Sequence, residues 1–327
     1  MRPSTDVAIV GAGPCGLAAA IAMKRAGLSA VVFDRSCVVS GIYGYPTFMT
    51  FFSTAEKLAI GGVPFVVATE KPTRRDALAY YRMIVKHFDL TIRQYENVET
   101  VQRCGDRFVL QTRQRSGEVR ETDAGAVVIA TGYFGHPNRL SVPGEDLPHV
   151  THLFKEGHEA FRQDVVVVGG GNSAVDAALE LYRADARVTI VHFLPGLDPN
   201  IKPWVLPDIT NRIVEGSIKA RWESRVRAIE PDEVVLDTPA GVERVRAEHV
   251  YLMLGYMPNA GLLEELDVPI DPITGIPAHD PATMETAVPG VFIAGVLASG
   301  FDANKTFIEN GRFHGDLIAR RLVDVRR

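Results

Sequence analysis

Cysteine is scarce in this chain. Its 327 residues hold three, Cys15, Cys37 and Cys104, and no two are spaced as a CxxC pair. So few and so scattered, they exclude the disulfide framework of a small secreted protein. Long apolar runs are also missing, and none reaches the length needed to span a bilayer. No stripe of Lys or Arg stands out, the net charge is −5 and the pI is near 6.0, which argues against nucleic acid or an anionic membrane as partner. Arg2 precedes an apolar stretch, but Gly11, Gly13, Pro14 and Gly16 interrupt it as a nucleotide-binding turn does and a signal peptide does not. These absences together predict a soluble, cytoplasmic protein. Its mass of 35.7 kDa suits two domains, each able to bury its own core.

Glycine, in contrast, recurs in a telling pattern. Val7-Ala8-Ile9-Val10-Gly11-Ala12-Gly13-Pro14-Cys15-Gly16 sets an apolar strand before a glycine turn and an apolar helix after it. Val165-Val166-Val167-Val168-Gly169-Gly170-Gly171-Asn172-Ser173-Ala174 repeats the arrangement. Glycines in that context allow a tight turn and close approach of backbone to a pyrophosphate, with the helix N-terminus facing the anion. One such turn is weak evidence. Two in correct context imply two bound nucleotides and electron transfer between them.

The elements around the turns complete the expectation. A strand over 7–10, a helix over 14–26 and a strand over 30–33 form a right-handed βαβ unit. Asp34 ends its second strand, where a carboxylate accepts hydrogen bonds from the ribose hydroxyls of an adenosine; the alternative is a solvated strand-end acid. Segment 40–64, with Tyr43, Tyr45, Phe48, Phe51 and Phe52, either packs against a flat ring or covers the core as an ordinary loop. A helix over 74–88 and short strands near 91–94, 100–104 and 108–112 follow, with turns at Gly105-Asp106 and Ser116-Gly117 marking an antiparallel meander. Ala126 to Tyr133 reads as a returning strand. After Gly169 come a helix over 173–182, a strand over 188–191, a second small meander and a strand over 250–254. A strand over 291–295 and one helix over 306–322 close the chain back in the first domain. The predicted fold is α/β, with two Rossmann-like dinucleotide-binding domains, each carrying a small antiparallel β-meander. Residues 1–153 and 282–327 form the split first domain, and 154–281 the second.

This order of motifs resembles the thioredoxin reductase-like flavoproteins of low molecular weight. Ile129-Ala130-Thr131-Gly132 is similar to that group's ATG strand, and Val288-Pro289-Gly290-Val291-Phe292-Ile293-Ala294-Gly295 to its closing FAD motif. A narrower resemblance, to the bacillithiol disulfide reductase family, rests on Gly13-Pro14-Cys15-Gly16-Leu17-Ala18-Ala19-Ala20-Ile21, Ile42-Tyr43-Gly44-Tyr45-Pro46-Thr47, Thr50-Phe51-Phe52-Ser53, Ile201-Lys202-Pro203-Trp204-Val205-Leu206-Pro207 and Phe307-Ile308-Glu309-Asn310-Gly311-Arg312-Phe313-His314-Gly315. These blocks span nearly the whole chain. The resemblance implies bound FAD, NADPH as reductant, reduction of a low-molecular-weight thiol disulfide, and a homo-oligomer.

Three departures qualify it. No CxxC lies beside the second glycine turn, so a dithiol relay to thioredoxin is excluded. Val296 follows Gly295 where the wider group has an aspartate for the ribityl chain, a change the narrower family shares. His192-Phe193-Leu194 stands where an arginine is expected for the adenosine 2′-phosphate, which leaves His192 and Lys202 as candidate substitutes; no acid there rejects NADP.

The resulting site assignment is as follows. Gly11, Gly13, Pro14, Cys15, Gly16, Asp34, Tyr45, Val98, Thr131, Gly132, Gly295, Thr306, Phe307 and Glu309 are expected to hold FAD. Gly169, Gly171, Asn172, Ser173, Ala174, His192 and Lys202 are expected to hold NADPH, with NADH not excluded. Cys15 is the candidate catalytic residue, through attack on the substrate disulfide; the alternative is a small packing residue. Cys37 and Cys104 read as structural. His314 is isolated from other ligand types, so no metal is expected. A ferredoxin– or flavodoxin–NADP reductase and a flavin monooxygenase-like enzyme are the alternative readings, and a non-enzymatic NAD(P)H sensor is a third.

Overall fold

The computed structural model describes residues 2–302 and 305–325. Its contacts divide the chain into two compact units, one of 1–43, 49–136 and 257–327, the other of 44–48 and 137–256. The chain therefore changes unit at 43/44, 48/49, 136/137 and 256/257; the boundaries expected from the sequence are 153/154 and 281/282.

The first unit opens with β1 (Ser4–Val10), α1 (Pro14–Arg25) and β2 (Ala30–Asp34), all parallel across the strands. Short helices α2 (Ser40–Gly44) and α3 (Ala55–Leu58) interrupt the aromatic segment expected to be irregular. Helix α4 (Arg74–His87) begins at Thr73, whose hydroxyl accepts from the Asp76 amide while the Asp76 carboxylate accepts from the Thr73 amide. It pins that segment: Tyr80 donates to Val63 O at 2.7 Å, Tyr81 donates to Leu58 O at 2.9 Å, and Phe65 stacks on Tyr80. Strands β3 (Ile92–Gln94), β4 (Glu96–Cys104), β5 (Arg107–Gln114) and β6 (Val119–Ile129) follow.

Strand β6 has two roles. Its first half pairs antiparallel with β5, and the register runs on so that Val7 to Val10 of β1 pair parallel with Ala126 to Ile129. The stretch 126–133 is thus the end of a strand that begins in the meander, and regular pairing stops at Ile129. Sheet order is β3-β2-β1-β6-β5-β4.

The second unit holds β7 (Val150–Thr151), β8 (Asp164–Val168), α5 (Asn172–Arg183), β9 (Arg187–Val191), α6 (Leu206–Val214), β10 (Lys219–Arg221), β11 (Arg225–Ile229), β12 (Glu233–Thr238), β13 (Gly241–Arg246) and β14 (His249–Leu252). Its parallel sheet has the order β10-β9-β8-β14-β7, and β11-β12-β13 form the expected meander. The four-valine run of β8 is apolar throughout because both faces are covered. Val165 and Val167 pack with Ala174, Ala177, Ala178 and Leu181 of α5. Val166 and Val168 pack with Val226, Ile229, Val234 and Leu236 of the meander. Alternation along the strand delivers successive side chains to opposite layers.

The chain then returns to the first unit through α7 (Gly261–Glu265) and β15 (Val291–Ile293), which pairs parallel with β6. The single closing helix expected over 306–322 is two, α8 (Ile308–Gly311) and α9 (His314–Val325). Asn310 closes α8 as one turn, its Oδ1 accepting from Phe307 N and its Nδ2 donating to Lys305 O. Arg312, in the break, donates to the Glu56 and Ala59 carbonyls instead of continuing the helix. Among the described residues, no helix is long and apolar enough to cross a membrane.

Candidate functional site

In the first unit the glycine turn sits where strand order reverses between β1 and β6, the place where open α/β sheets take ligands. Gly11 N donates to Phe33 O at 2.7 Å and Ala130 N to Val10 O at 2.8 Å, tying the turn to the ends of β2 and β6. Each glycine answers a different demand. Gly11 has φ +113°, and a β-carbon there would strike the Ala130 carbonyl. A β-carbon on Gly16 would strike Gly11 O. Gly13 faces open space, with nothing within 4 Å of where a β-carbon would be. It is also the residue before α1, whose first amides lack helical partners. A pyrophosphate fits this cradle, since backbone can approach it only where a side chain is missing.

Asp34 fastens the same turn. Its Oδ2 accepts from Ala12 N at 2.8 Å and its Oδ1 from Ser36 N at 2.8 Å. Burial raises its carboxyl above the usual range, and those two amides oppose the rise. Thr131 and Gly132 follow β6 at the same edge, and Thr131 donates to Asn259 O at 3.4 Å.

Cys15 is partly buried, and burial pushes its thiol up to about 12. Its neighbours come from the far end of the chain. A β-carbon on Gly295 would lie 3.2 Å from the Cys15 sulfur, and one on Gly311 2.9 Å from it and 3.1 Å from Gly295 Cα. The first turn, the end of β15 and the end of α8 therefore converge on one sulfur. Gly311 is the residue that sequence reasoning missed. It stood inside a recognised block, but only close approach explains it. His314, at the start of α9, accepts at Nδ1 from Gly295 N at 3.2 Å, and burial followed by the charge of His279 depresses its imidazolium to about 4. Thr306 shares a hydroxyl hydrogen bond with Ser299. Phe307 is exposed, and Glu309 pairs with Lys57 at 3.6 Å.

Two further residues were expected at the flavin. Val98 is buried on β4, and Tyr45 belongs to 44–48, which clusters with the second unit. Cys37 is partly buried, but Cys104 is exposed at the end of β4, so no packing role accounts for it.

The second turn is built alike. Gly169, φ +135°, lies where a β-carbon would come 2.5 Å from Met253 O, and its amide donates to Val191 O. Asn172 opens α5 and holds segment 200–202, donating to Asn200 O and accepting from Lys202 N, both at 3.0 Å. Ser173 is exposed and Ala174 buried. His192 is 5% exposed, its ring lying under Gly170, and its Nε2 is 3.2 Å from Asp198 Oδ1. Lys202 is 7% exposed and donates to Asp176 Oδ2 at 2.7 Å; burial lowers its ammonium below the usual lysine range. Both candidate phosphate ligands thus already face carboxylates, Asp198 and Asp176, whose pairing with them has no local signal. Among the described residues, no three His, Cys, Asp or Glu side chains gather as a metal-ligand set.

The model of the family described as pyridine nucleotide-disulphide oxidoreductase matches residues 8–295, from the first turn to the end of the closing strand. The chain belongs to that family. It is 46% identical over 316 residues, 96% of each chain, to the bacilliredoxin reductase Bdr of Bacillus subtilis. The solved bacillithiol disulfide reductase Bdr of Bacillus cereus is 43% identical with a TM-score of 0.97, covering 98% of this chain and 99% of that one. The Staphylococcus aureus Bdr structure is 40% identical with a TM-score of 0.94 over the full length of both. Within its family the chain falls among these Bdr reductases, as its motif blocks imply. It is an oxidoreductase, and its family implies use of a flavin and a pyridine nucleotide. The ferredoxin– or flavodoxin–NADP reductase and monooxygenase readings have less support.

Proposed function

We propose that this enzyme uses FAD and NADPH to reduce the disulfide of a low-molecular-weight thiol, with bacillithiol disulfide as the acceptor, in the reducing environment of the cytoplasm. The observation that carries the reading is the convergence of the first turn, the end of β15 and the end of α8 on the Cys15 sulfur. Three free cysteines suit a reducing compartment.

In this reading the open face at Gly13 and the first amides of α1 receive the FAD pyrophosphate, and Asp34 accepts from its ribose hydroxyls. Thr131, Gly132, Gly295, Thr306, Phe307 and Glu309 line the remainder, and Val98 and Tyr45 complete the assignment made from the sequence. Gly169, Gly171, Asn172, Ser173 and Ala174 receive NADPH. A flavin held at the first turn would supply two-electron chemistry, with the nicotinamide as its source of hydride. Cys15 would attack one sulfur of the acceptor and expel the other half as a thiol; cleavage of the resulting mixed disulfide takes two electrons and two protons, releases the second half as a thiol and restores the Cys15 thiol. At rest the residue is held as the neutral thiol, so it gives up its proton as it attacks.

The names of the relatives pair two acceptors with this architecture, a small disulfide and the protein bacilliredoxin. The experiment is anaerobic reduction of the flavin by NADPH, then turnover with bacillithiol disulfide, bacilliredoxin disulfide and a one-electron acceptor. Cys15→Ala is expected to keep its flavin and lose disulfide turnover. Undiminished turnover removes Cys15 from the chemistry, and activity confined to the one-electron acceptor overturns the disulfide assignment.

A further inference from the structure

In a dinucleotide-binding sheet, the end of the strand after the glycine-turn strand faces the adenosine ribose, and a phosphorylated ribose calls for a cation there. In the second unit that strand is β9, and His192-Phe193-Leu194 follow it. Four cationic side chains lie near this edge. His192 is paired with Asp198, Lys202 with Asp176, and Arg221 through two nitrogens with Glu243. The fourth is Arg225.

The backbone brings Arg225 to the strand end. His192 N donates to Arg221 O at 2.9 Å, Ser224 N to His192 O at 3.0 Å, and Glu223 N to Leu194 O at 3.0 Å. These bonds close 221–224 against 192–194 and set the Arg225 guanidinium over the Phe193 ring, 5.0 Å from its centroid. Both side chains are exposed. Asp237 stands opposite Arg225 in the β11–β12 register, but its carboxylate is held by Arg227. Among the described residues, Arg225 has no carboxylate partner.

We infer that Arg225 receives the 2′-phosphate of NADPH, with Phe193 as the aromatic platform that holds its guanidinium in place. The missing strand-end arginine is supplied from the start of β11, in the meander. A guanidinium lying on a ring keeps its edge N–H groups free, and those donate in pairs to phosphate oxygens. The inference rests on the second turn holding a pyridine nucleotide, and it names the residue that chooses between the two.

The test is calorimetric titration of the FAD-loaded protein with 2′-phospho-ADP-ribose and with ADP-ribose, which need no turnover. The wild type is expected to bind the phosphorylated probe at least about tenfold more tightly. Arg225→Ala should bring the two affinities together by weakening only the phosphorylated probe. Arg225→Lys should restore part of the difference, and Phe193→Leu should lose part of it. A wild type without preference overturns the inference, as does an Arg225→Ala variant that weakens both probes equally or neither. If the wild type binds neither probe, nucleotide binding by the second turn falls along with it.

Discussion

The sulfur of Cys15 and the α-carbon of Gly311 are in such close packing that a β-carbon on Gly311 would approach the sulfur to 2.9 Å. Gly311→Ala is therefore expected to destabilise the protein by about 1–3 kcal/mol. Cys15→Ala in the same chain should return part of that loss, with a coupling of about 0.5–2 kcal/mol in a double-mutant cycle by denaturant unfolding. Strict additivity would mean that the two positions do not share the space.

Asp34 accepts two backbone amides and ties the first turn to the end of β2. Asp34→Ala leaves the Ala12 and Ser36 amides without that acceptor, at a cost of about 1–3 kcal/mol for each one that stays buried. The purified variant should carry substoichiometric flavin, read from its visible absorbance, and Asp34→Asn should retain more than Asp34→Ala.

His314 makes stability depend on pH. Its folded pKa of about 4 lies below the ordinary 6.5, so between those values the unfolded chain binds the extra proton. Stability contributed by the neutral ring is fully present above 6.5 and is lost as pH falls towards 4, by at most about 3 kcal/mol. Protonation at Nδ1 would also set an N–H against the Gly295 N–H. His314→Asn, which keeps an acceptor but does not titrate, should flatten this part of the pH profile in thermal unfolding.

Lys202 and Asp176 form a pair in which the lysine is nearly sealed from solvent. Asp176→Ala should destabilise the second unit by about 1–3 kcal/mol, because it leaves a buried ammonium without its acceptor. Lys202→Met should cost less, since it removes the charge along with the need for a partner. A larger loss from the lysine substitution would show that its charge is used elsewhere.

Strand–turn–helix signals made both glycine turns legible, along with the meanders and the return of the chain at β15. Apolar period and turn residues are local, and both survive in a single sequence. The acids facing His192 and Lys202 were hidden, because Asp198 and Asp176 carry no local mark of the partner they meet. The break after Gly311 was hidden too: its causes, an Asn310 turn closure and an Arg312 bond to distant carbonyls, emerge only in three dimensions. Only the apolar end of β6 was read as a strand, because its polar half, 119–125, belongs to an antiparallel meander and lacks the apolar run of a buried parallel strand. The cysteine in the first turn and Gly295 were visible at once, but the part Gly311 plays in enclosing the sulfur was not.

The parallel pairing of Val291 to Ile293 with Val127 to Ile129 bears on how the protein is made. During synthesis, the 127–129 end of β6 leaves the ribosome without the strand that will cover it, and waits while 137–256 emerges. The first unit cannot finish until β15 arrives. Loop closure on this scale slows the last step, and a bare strand edge invites wrong pairing while it lasts. Translation stalled anywhere before Val291 should therefore leave a half-built first unit as a substrate for chaperones.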